Sequence, residues 1–118
     1  MTTKVDRNIK INIVGALTID LPIPEGLTIL EDPKETAPKH HGCIRVPTPK
    51  DGDKRIIWDN RSYEQICQAK DTFDRLVQEG LIPYRVGTGG KATSEIMVEF
   101  DPHAEEIVLI PIQLAVGG

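Results

Sequence analysis

One segment of the chain carries several independent signals of an amphipathic helix. Ser62 and Gln65 stand three residues apart, the spacing of a capping box, in which the serine hydroxyl accepts from the glutamine backbone N–H and the glutamine side chain reaches back. The apolar residues that follow recur at steps of three and four and form one stripe: Ile66, Ala69, Phe73, Leu76 and Val77. Gly80 suits a left-handed C-terminal position and Pro83 opposes continuation, so we predict a helix between Ser62 and Gly80. We expect its stripe to pack on the chain's own sheet rather than on a partner.

Runs of alternating apolar residues predict strands on both sides of this helix. Two precede it, at residues 43–46 and 54–58, and the Asp51-Gly52 pair between them is typical of a turn. Three follow it, at residues 84–86, 95–100 and 107–112. The last of these is apolar on both faces, which indicates a central and buried strand.

The resulting element order, ββαβββ, predicts a single α+β domain with one helix on a mixed or antiparallel sheet. We expect the three strands after the helix to form a tight meander, joined by the glycine-rich residues 87–90 and by a turn at Asp101-Pro102-His103. In the strand at 95–100, the spacing by two places the apolar residues on one face, which we expect to meet the helix: Ile96, Val98 and Phe100.

The first thirty residues add two more alternating runs, at 8–14 and 17–23, separated by Gly15-Ala16, which indicates a β-hairpin. Six prolines between residues 22 and 49 make a regular central strand improbable across most of that region. We therefore divide the chain into residues 1–42, an N-terminal arm with a proline-rich tether, and residues 43–118, the body with its Gly-Gly tail. The apolar residues of the arm are expected to contact another subunit: Ile9, Ile11, Ile13, Leu17, Ile19 and Leu21.

Length and composition exclude several classes of protein. A chain of 118 residues makes one domain, and with aromatic residues at 4% its core must be aliphatic. The net charge of −4, with both signs interspersed, argues against nucleic acid as the primary partner. No apolar run reaches the length of a membrane span, and residues 1–7 lack the apolar region of a signal peptide. We therefore expect synthesis in a cytoplasm and no membrane partner.

The glycine-rich segment at residues 87–93 does not match a phosphate-binding loop. That motif needs a glycine where this chain has Arg85, and a serine or threonine directly after the lysine, where it has Ala92. The segment also lies between predicted strands, with no helix N-terminus to receive a phosphate. A turn is the better interpretation.

A zinc site is the other chemical possibility that the sequence raises. His40, His41 and Cys43 could supply ligands, with Cys67 or His103 completing the set, but the spacing matches no standard finger or ribbon. No arrangement typical of a hydrolase or metalloprotease is present. We expect a protein that is not an enzyme and that needs no metal or other cofactor.

The predicted order of elements resembles the β-grasp layout of ubiquitin-like proteins. It has a hairpin, a helix and further strands, and its C-terminal strand runs into Gly117-Gly118. In that family the terminal Gly-Gly carries the carboxylate that an activating enzyme adenylates, so the resemblance implies Gly118 as a point of conjugation. The chain departs from the family in its predicted meander and in the absence of basic residues before the glycines.

A second resemblance covers residues 58–118. The pattern is similar to that of a group of small proteins of tailed phages and prophages, which lie among virion genes and have no settled biochemical role. The residues that carry it are Trp58-Asp59, Ala69, Phe73, Gly80, Tyr84, Val86, Glu99-Phe100-Asp101-Pro102, Ala104-Glu105-Glu106-Ile107, Pro111 and Gly117-Gly118. The resemblance implies a part of a virion and no catalytic residue.

These observations together predict a non-enzymatic structural protein of a phage particle, capsid-associated as a cement, decoration or minor head protein. Its partners would be other virion proteins or copies of itself, and it would act by strand addition and arm exchange, in which residues 8–23 pair with the edge of a neighbour's sheet. The alternative is a ubiquitin-like modifier that acts through Gly118.

Overall fold

The computed structural model describes residues 8–13, 17–30, 32, 34–47, 53–86 and 92–111. Within these residues, one helix, α1 at Tyr63–Gln78, lies among eight strands. Five strands precede it: β1 at Asn8–Ile13, β2 at Leu17–Pro22, β3 at Thr28–Leu30, β4 at His41–Val46 and β5 at Lys54–Asp59. Three follow it: β6 at Leu81–Val86, β7 at Ala92–Ile96 and β8 at Glu106–Pro111.

Six of these strands form a mixed sheet in the order β3-β5-β4-β8-β6-β7, and β1 and β2 form a separate two-stranded sheet. The pairs are antiparallel except for β4 with β8, which run parallel at the centre of the larger sheet. The predicted α+β fold with one helix on a mixed sheet is confirmed, and so is the central position of the last strand. The predicted meander is wrong, because β8 lies between β4 and β6 instead of beside β7. The last strand, β8, therefore runs parallel to β4, the first strand of the β4–β5 hairpin.

The helix begins with the predicted cap, modified in one contact. The Ser62 hydroxyl accepts from the Gln65 backbone N–H at 3.2 Å. The Gln65 side chain accepts from the Asp59 backbone N–H at 2.8 Å, rather than from Ser62 as a capping box would have it. This contact fastens the first turn of α1 to the end of β5. At the other end, Gly80 has a φ of 104°, the left-handed conformation that terminates many helices.

The stripe of α1 packs on one face of the sheet, as expected. Ala69, Phe73 and Leu76 are buried, and Ile66 packs at the margin of the same core. Val77 lies at the edge of the stripe and is 39% exposed, so its predicted burial is wrong. The sheet residues in this core alternate along the strands and so lie on one face: Ile44, Val46, Ile56, Trp58, Ile107 and Leu109.

The hairpin β1–β2 belongs to the same core. Its register pairs Ile9 with Leu21 and Ile11 with Ile19, so these four side chains lie on one face of the hairpin. All four are buried in one cluster with the helix and the sheet. The body of the single chain therefore does supply a partner for this apolar face, contrary to our expectation, because these residues share one cluster with α1 and the central strands.

The segment after β7 departs most from the predicted pattern. We expected a strand over residues 95–100 with three apolar residues on one face, but the strand ends at Ile96. Met97 and Phe100 turn into the core, whereas Ile96 is 58% exposed and Val98 is 98% exposed. The spacing of three between Met97 and Phe100 fits a loop, in which the alternation of a strand no longer applies.

Candidate interaction surface

The residues predicted to meet another subunit fall into two groups. Ile9, Ile11, Ile19 and Leu21 are each at most 6% exposed within the single chain, so their side chains contact its own core. Packing of these four residues against a second subunit stays a prediction. Ile13 and Leu17 pair with each other across the hairpin, and their side chains lie outside the description of the structure, as do Gly117 and Gly118.

The face of the six-stranded sheet opposite α1 carries apolar residues that are not fully buried. On β6, Ile82, Tyr84 and Val86 are half-buried, and they pair with Ile110, Val108 and Glu106 of β8. Because neighbours across a sheet point to the same side, these side chains form one patch. We call Ile82, Tyr84, Val86, Val108 and Ile110 the open-face patch, in which Val108 is buried and the other four are half-buried.

The other end of this face is covered by the chain itself. Leu30, Cys43 and Ile57 form a small buried cluster, against which Ala37 packs. The Arg55 guanidinium donates to the backbone carbonyls of Asp32 and Glu35 and so holds that segment in place. The apolar residues at the β3–β5–β4 end of the face are therefore buried, whereas most of those at the β8–β6 end are partly exposed.

Charged residues separate the two ends. Arg45 lies between them on β4 and forms ion pairs with Asp53 at 3.1 Å and with Glu106 at 2.8 Å. These three side chains are between about one third and two fifths exposed, so water weakens the pairs. They form a polar border to the open-face patch, as is usual around the apolar centre of a protein interface.

Three aromatic residues shared with the phage protein pattern, Trp58, Phe73 and Phe100, pack in the core. Trp58 and Phe73 both contact the Phe100 ring, with centroids 5.1 and 5.6 Å apart. The Trp58 Nε1–H donates to the Pro102 carbonyl at 3.3 Å. These contacts fix the loop from β7 to β8, whose course inserts the last strand at the centre of the sheet.

Asp101 is the charged member of the same loop. One carboxylate oxygen accepts from the His103 backbone N–H at 2.9 Å and the other accepts from Arg85 Nη2 at 2.7 Å. The His103 backbone hydrogen bond, together with Arg85, lowers the pKa of Asp101. The Asp101-Pro102-His103 turn expected from the sequence is present, and it is fastened to β6 through Arg85.

The proposed zinc ligands do not form a cluster in the described part of the chain, where no three His, Cys, Asp or Glu side chains lie close enough to hold a metal ion. Cys43 is buried in the sheet, Cys67 is exposed on the helix, and both thiols are free. His41 Nδ1 lies 3.0 Å from the Lys39 carbonyl. The glycine-rich residues 87–91 lie outside the described residues.

The open-face patch was not predicted, although the sequence carries a signal for it. Ile82, Tyr84 and Val86 alternate, and with the central β8 apolar on both faces a second apolar surface was to be expected. Pro83 concealed this pattern, because we took it as the end of the helix and began the strand after it.

Comparisons with known proteins add no relative. The chain matches no protein-family model, no curated protein and no solved structure. Among the described residues, no helix is both long and apolar enough to cross a membrane.

Proposed function

We propose that this protein is a non-enzymatic structural component of a tailed-phage particle, made in the host cytoplasm and associated with the capsid as a cement, decoration or minor head protein. Its partners are other virion proteins or further copies of the same chain. The pattern over residues 58–118 supports a virion part. The observation that carries the proposal is the open-face patch.

The open-face patch supports a contact with another protein for a physical reason. A sheet whose second face meets water usually carries polar residues there, whereas β6 presents Ile82, Tyr84 and Val86. A contiguous apolar patch with a charged border is the kind of surface that binds proteins. Because the inward residues of the hairpin are already buried, the patch replaces them as the proposed contact.

The test compares substitutions at two tyrosines by the copy number of the protein in phage particles purified from the strain that carries the gene. We expect the protein to be present in purified particles and Tyr84→Glu to reduce its copy number about tenfold or more, because an unpaired charge in an apolar contact costs at least 1.4 kcal/mol of binding. Tyr63→Glu is the matched control, since Tyr63 lies on the helix and is 81% exposed. It should leave the copy number unchanged.

Immunoblots of gradient-purified particles measure the copy number, and thermal melts of both variants confirm that they fold. Ile110→Lys is a second change in the patch. If Tyr84→Glu does not fold, a folded Ile110→Lys protein still shows whether the patch is needed for binding. Absence of the protein from the particles would reject the proposal. Full occupancy by both patch variants would reject the patch as the contact.

A ubiquitin-like modifier is the second candidate, favoured by one observation. The last strand, β8, runs parallel to β4 at the centre of the sheet, as the β-grasp layout requires. Incubation of the purified protein with host lysate and ATP, followed by mass analysis, tests it. Conjugates that disappear on deletion of Gly117 and Gly118 would support this function, and a lysate without conjugates would contradict it.

A further inference from the structure

A second surface of the molecule is concave. A cleft of about 470 Å³ lies between the end of β6, β7 and the loop that follows β7. Apolar residues form much of its wall, among them Ile96, Val98 and Phe100, and charged residues lie among them. It adjoins the open-face patch, because Ile96 pairs with Tyr84 and lies on the same side of the sheet, but none of the five patch residues lines it.

Two of the apolar side chains in the wall are strongly exposed. Val98 is 98% exposed and Ile96 is 58% exposed, whereas Met97 and Phe100 of the same segment are buried. The burial of Met97 and Phe100 holds the loop so that Val98 points outward. Single exposed apolar residues are ordinary, but two at the mouth of one cleft can be covered together by a single ligand.

The charges of the cleft are unbalanced. Its lining contains three carboxylates, from Glu95, Glu99 and Asp101, and one guanidinium, from Arg85. Arg85 is shared between Asp101, at 2.7 Å, and Glu95, at 3.7 Å. Among the described residues the lining therefore carries two more carboxylates than cations, with Lys70 of α1 close enough to interact with Glu99. This excess of negative charge beside the exposed Val98 and Ile96 attracts a basic group.

We propose that this cleft binds a segment of a partner protein in which a lysine or arginine stands next to an aliphatic residue. The basic side chain meets Glu99 and Glu95, and the aliphatic side chain covers Val98. The inference rests on the proposed function, because it names the chemistry of one neighbour in the particle. Nucleic acid is excluded as the occupant by the sign of the field.

Three peptides matched in length test the proposal against the full-length purified protein. They are capped tetrapeptides of alternating leucine and arginine, leucine and glutamate, and serine and arginine. We expect the leucine–arginine peptide to shift the amide signals of Arg85 and of residues 95–99 in ¹H–¹⁵N spectra. The other two should bind about tenfold more weakly, since each lacks either the basic or the apolar half of the contact.

Substitutions in the cleft make the test specific. Val98→Ser should weaken binding of the leucine–arginine peptide about tenfold, and Glu99→Gln about threefold, with less effect at high salt. Both side chains are exposed, so the melting temperature should not change. Glu105→Gln removes the same charge outside the cleft, and Tyr63→Ser removes an exposed apolar side chain elsewhere; neither should change binding.

Three outcomes would overturn the inference: no shifts in the cleft at millimolar peptide, shifts confined to the open-face patch, or equal binding by the Val98→Ser and Glu99→Gln proteins. Each can occur while the protein is still found in particles, which would reject the cleft and leave the proposed function standing. If the protein is absent from particles but binds the leucine–arginine peptide specifically, the proposed function is rejected and the cleft stands as a binding site.

Discussion

At the scale of single residues, one close contact explains a glycine in the middle of a strand. Gly42 lies directly opposite Trp58 across the β4–β5 pair, and a Cβ added to Gly42 would overlap the Trp58 ring. The indole therefore occupies the space over the glycine, where it is fully buried. Its Nε1–H still finds a partner in the Pro102 carbonyl, so burial leaves no polar atom of the ring unsatisfied.

The two cysteines provide a prediction at this scale. Burial, with a smaller contribution from the Glu106 carboxylate, raises the pKa of Cys43 from 9.0 to about 11. The folded protein thus favours the neutral thiol. The resulting contribution to stability is fully present below pH 9.0 and is lost as the pH rises through about 11.

Thiol labelling of the native protein with Ellman's reagent near neutral pH checks this. We expect only Cys67, which is exposed, to react quickly, and Cys43 to react after unfolding in urea. Cys67→Ser should remove the fast reaction, and Cys43→Ser should leave it unchanged. Two thiols of equal reactivity in the native protein would contradict the burial of Cys43.

At the scale of elements, β6 shows how context changes the meaning of a proline. Pro83 lies inside this strand and pairs with Leu109 of β8. Its carbonyl accepts from the Met97 N–H at 3.0 Å, on the side away from β8. The Pro83 nitrogen, which has no hydrogen to donate, also faces away from β8. Its missing donor therefore removes no hydrogen bond between β6 and β8.

The helix provides the prediction for this scale. Phe73 is 2% exposed and contacts Phe100, so Phe73→Ala should lower the free energy of unfolding by about 3–5 kcal/mol. Tyr63→Ala removes an aromatic ring from the same helix, where the ring is 81% exposed, and should change it by less than about 0.5 kcal/mol. Urea denaturation of both variants measures the difference. A loss below about 1 kcal/mol for Phe73→Ala would mean that the helix faces the sheet in another register.

At the scale of the whole molecule, the division into an arm and a body does not correspond to a division of the core. The inward residues of the hairpin share one cluster with α1 and the central strands. β3, which lies in the segment that we assigned to the arm, is an edge strand of the main sheet and pairs with β5. Both halves of the chain therefore contribute to one hydrophobic core.

Removal of residues 1–37 tests this arrangement. Each buried aliphatic side chain contributes about 2–5 kcal/mol, and a domain of this size has about 5–15 kcal/mol in total. Loss of four such side chains from the hairpin should therefore abolish the cooperative thermal transition. Circular dichroism measures the melt, with removal of residues 1–7 as the control. A truncated chain that melts cooperatively at the original temperature would show that the hairpin is not part of the core.

Local patterns in the sequence were sufficient for the helix and for most of the strands, but not for β3 or for the bounds of β7. The cap at Ser62, the stop at Gly80 and the alternation along β1, β2, β4, β5 and β8 depend on residues near one another in the chain, and the structure agrees with them to within a few residues. The α+β class follows from their order. The hydrogen bonds of a cap and the side-chain period of a strand are properties of a short segment, so they can be predicted without the rest of the molecule.

Tertiary contacts alone decided the sheet order, the burial of the hairpin and the exposure of Val98. Nothing in the local pattern of β8 distinguishes a place beside β7 from one between β4 and β6. That choice depends on the loop held by Trp58, Phe100 and Asp101. The two candidate surfaces arise in the same way, because exposure is what remains after distant segments have covered the rest of the chain, and no short segment contains that information.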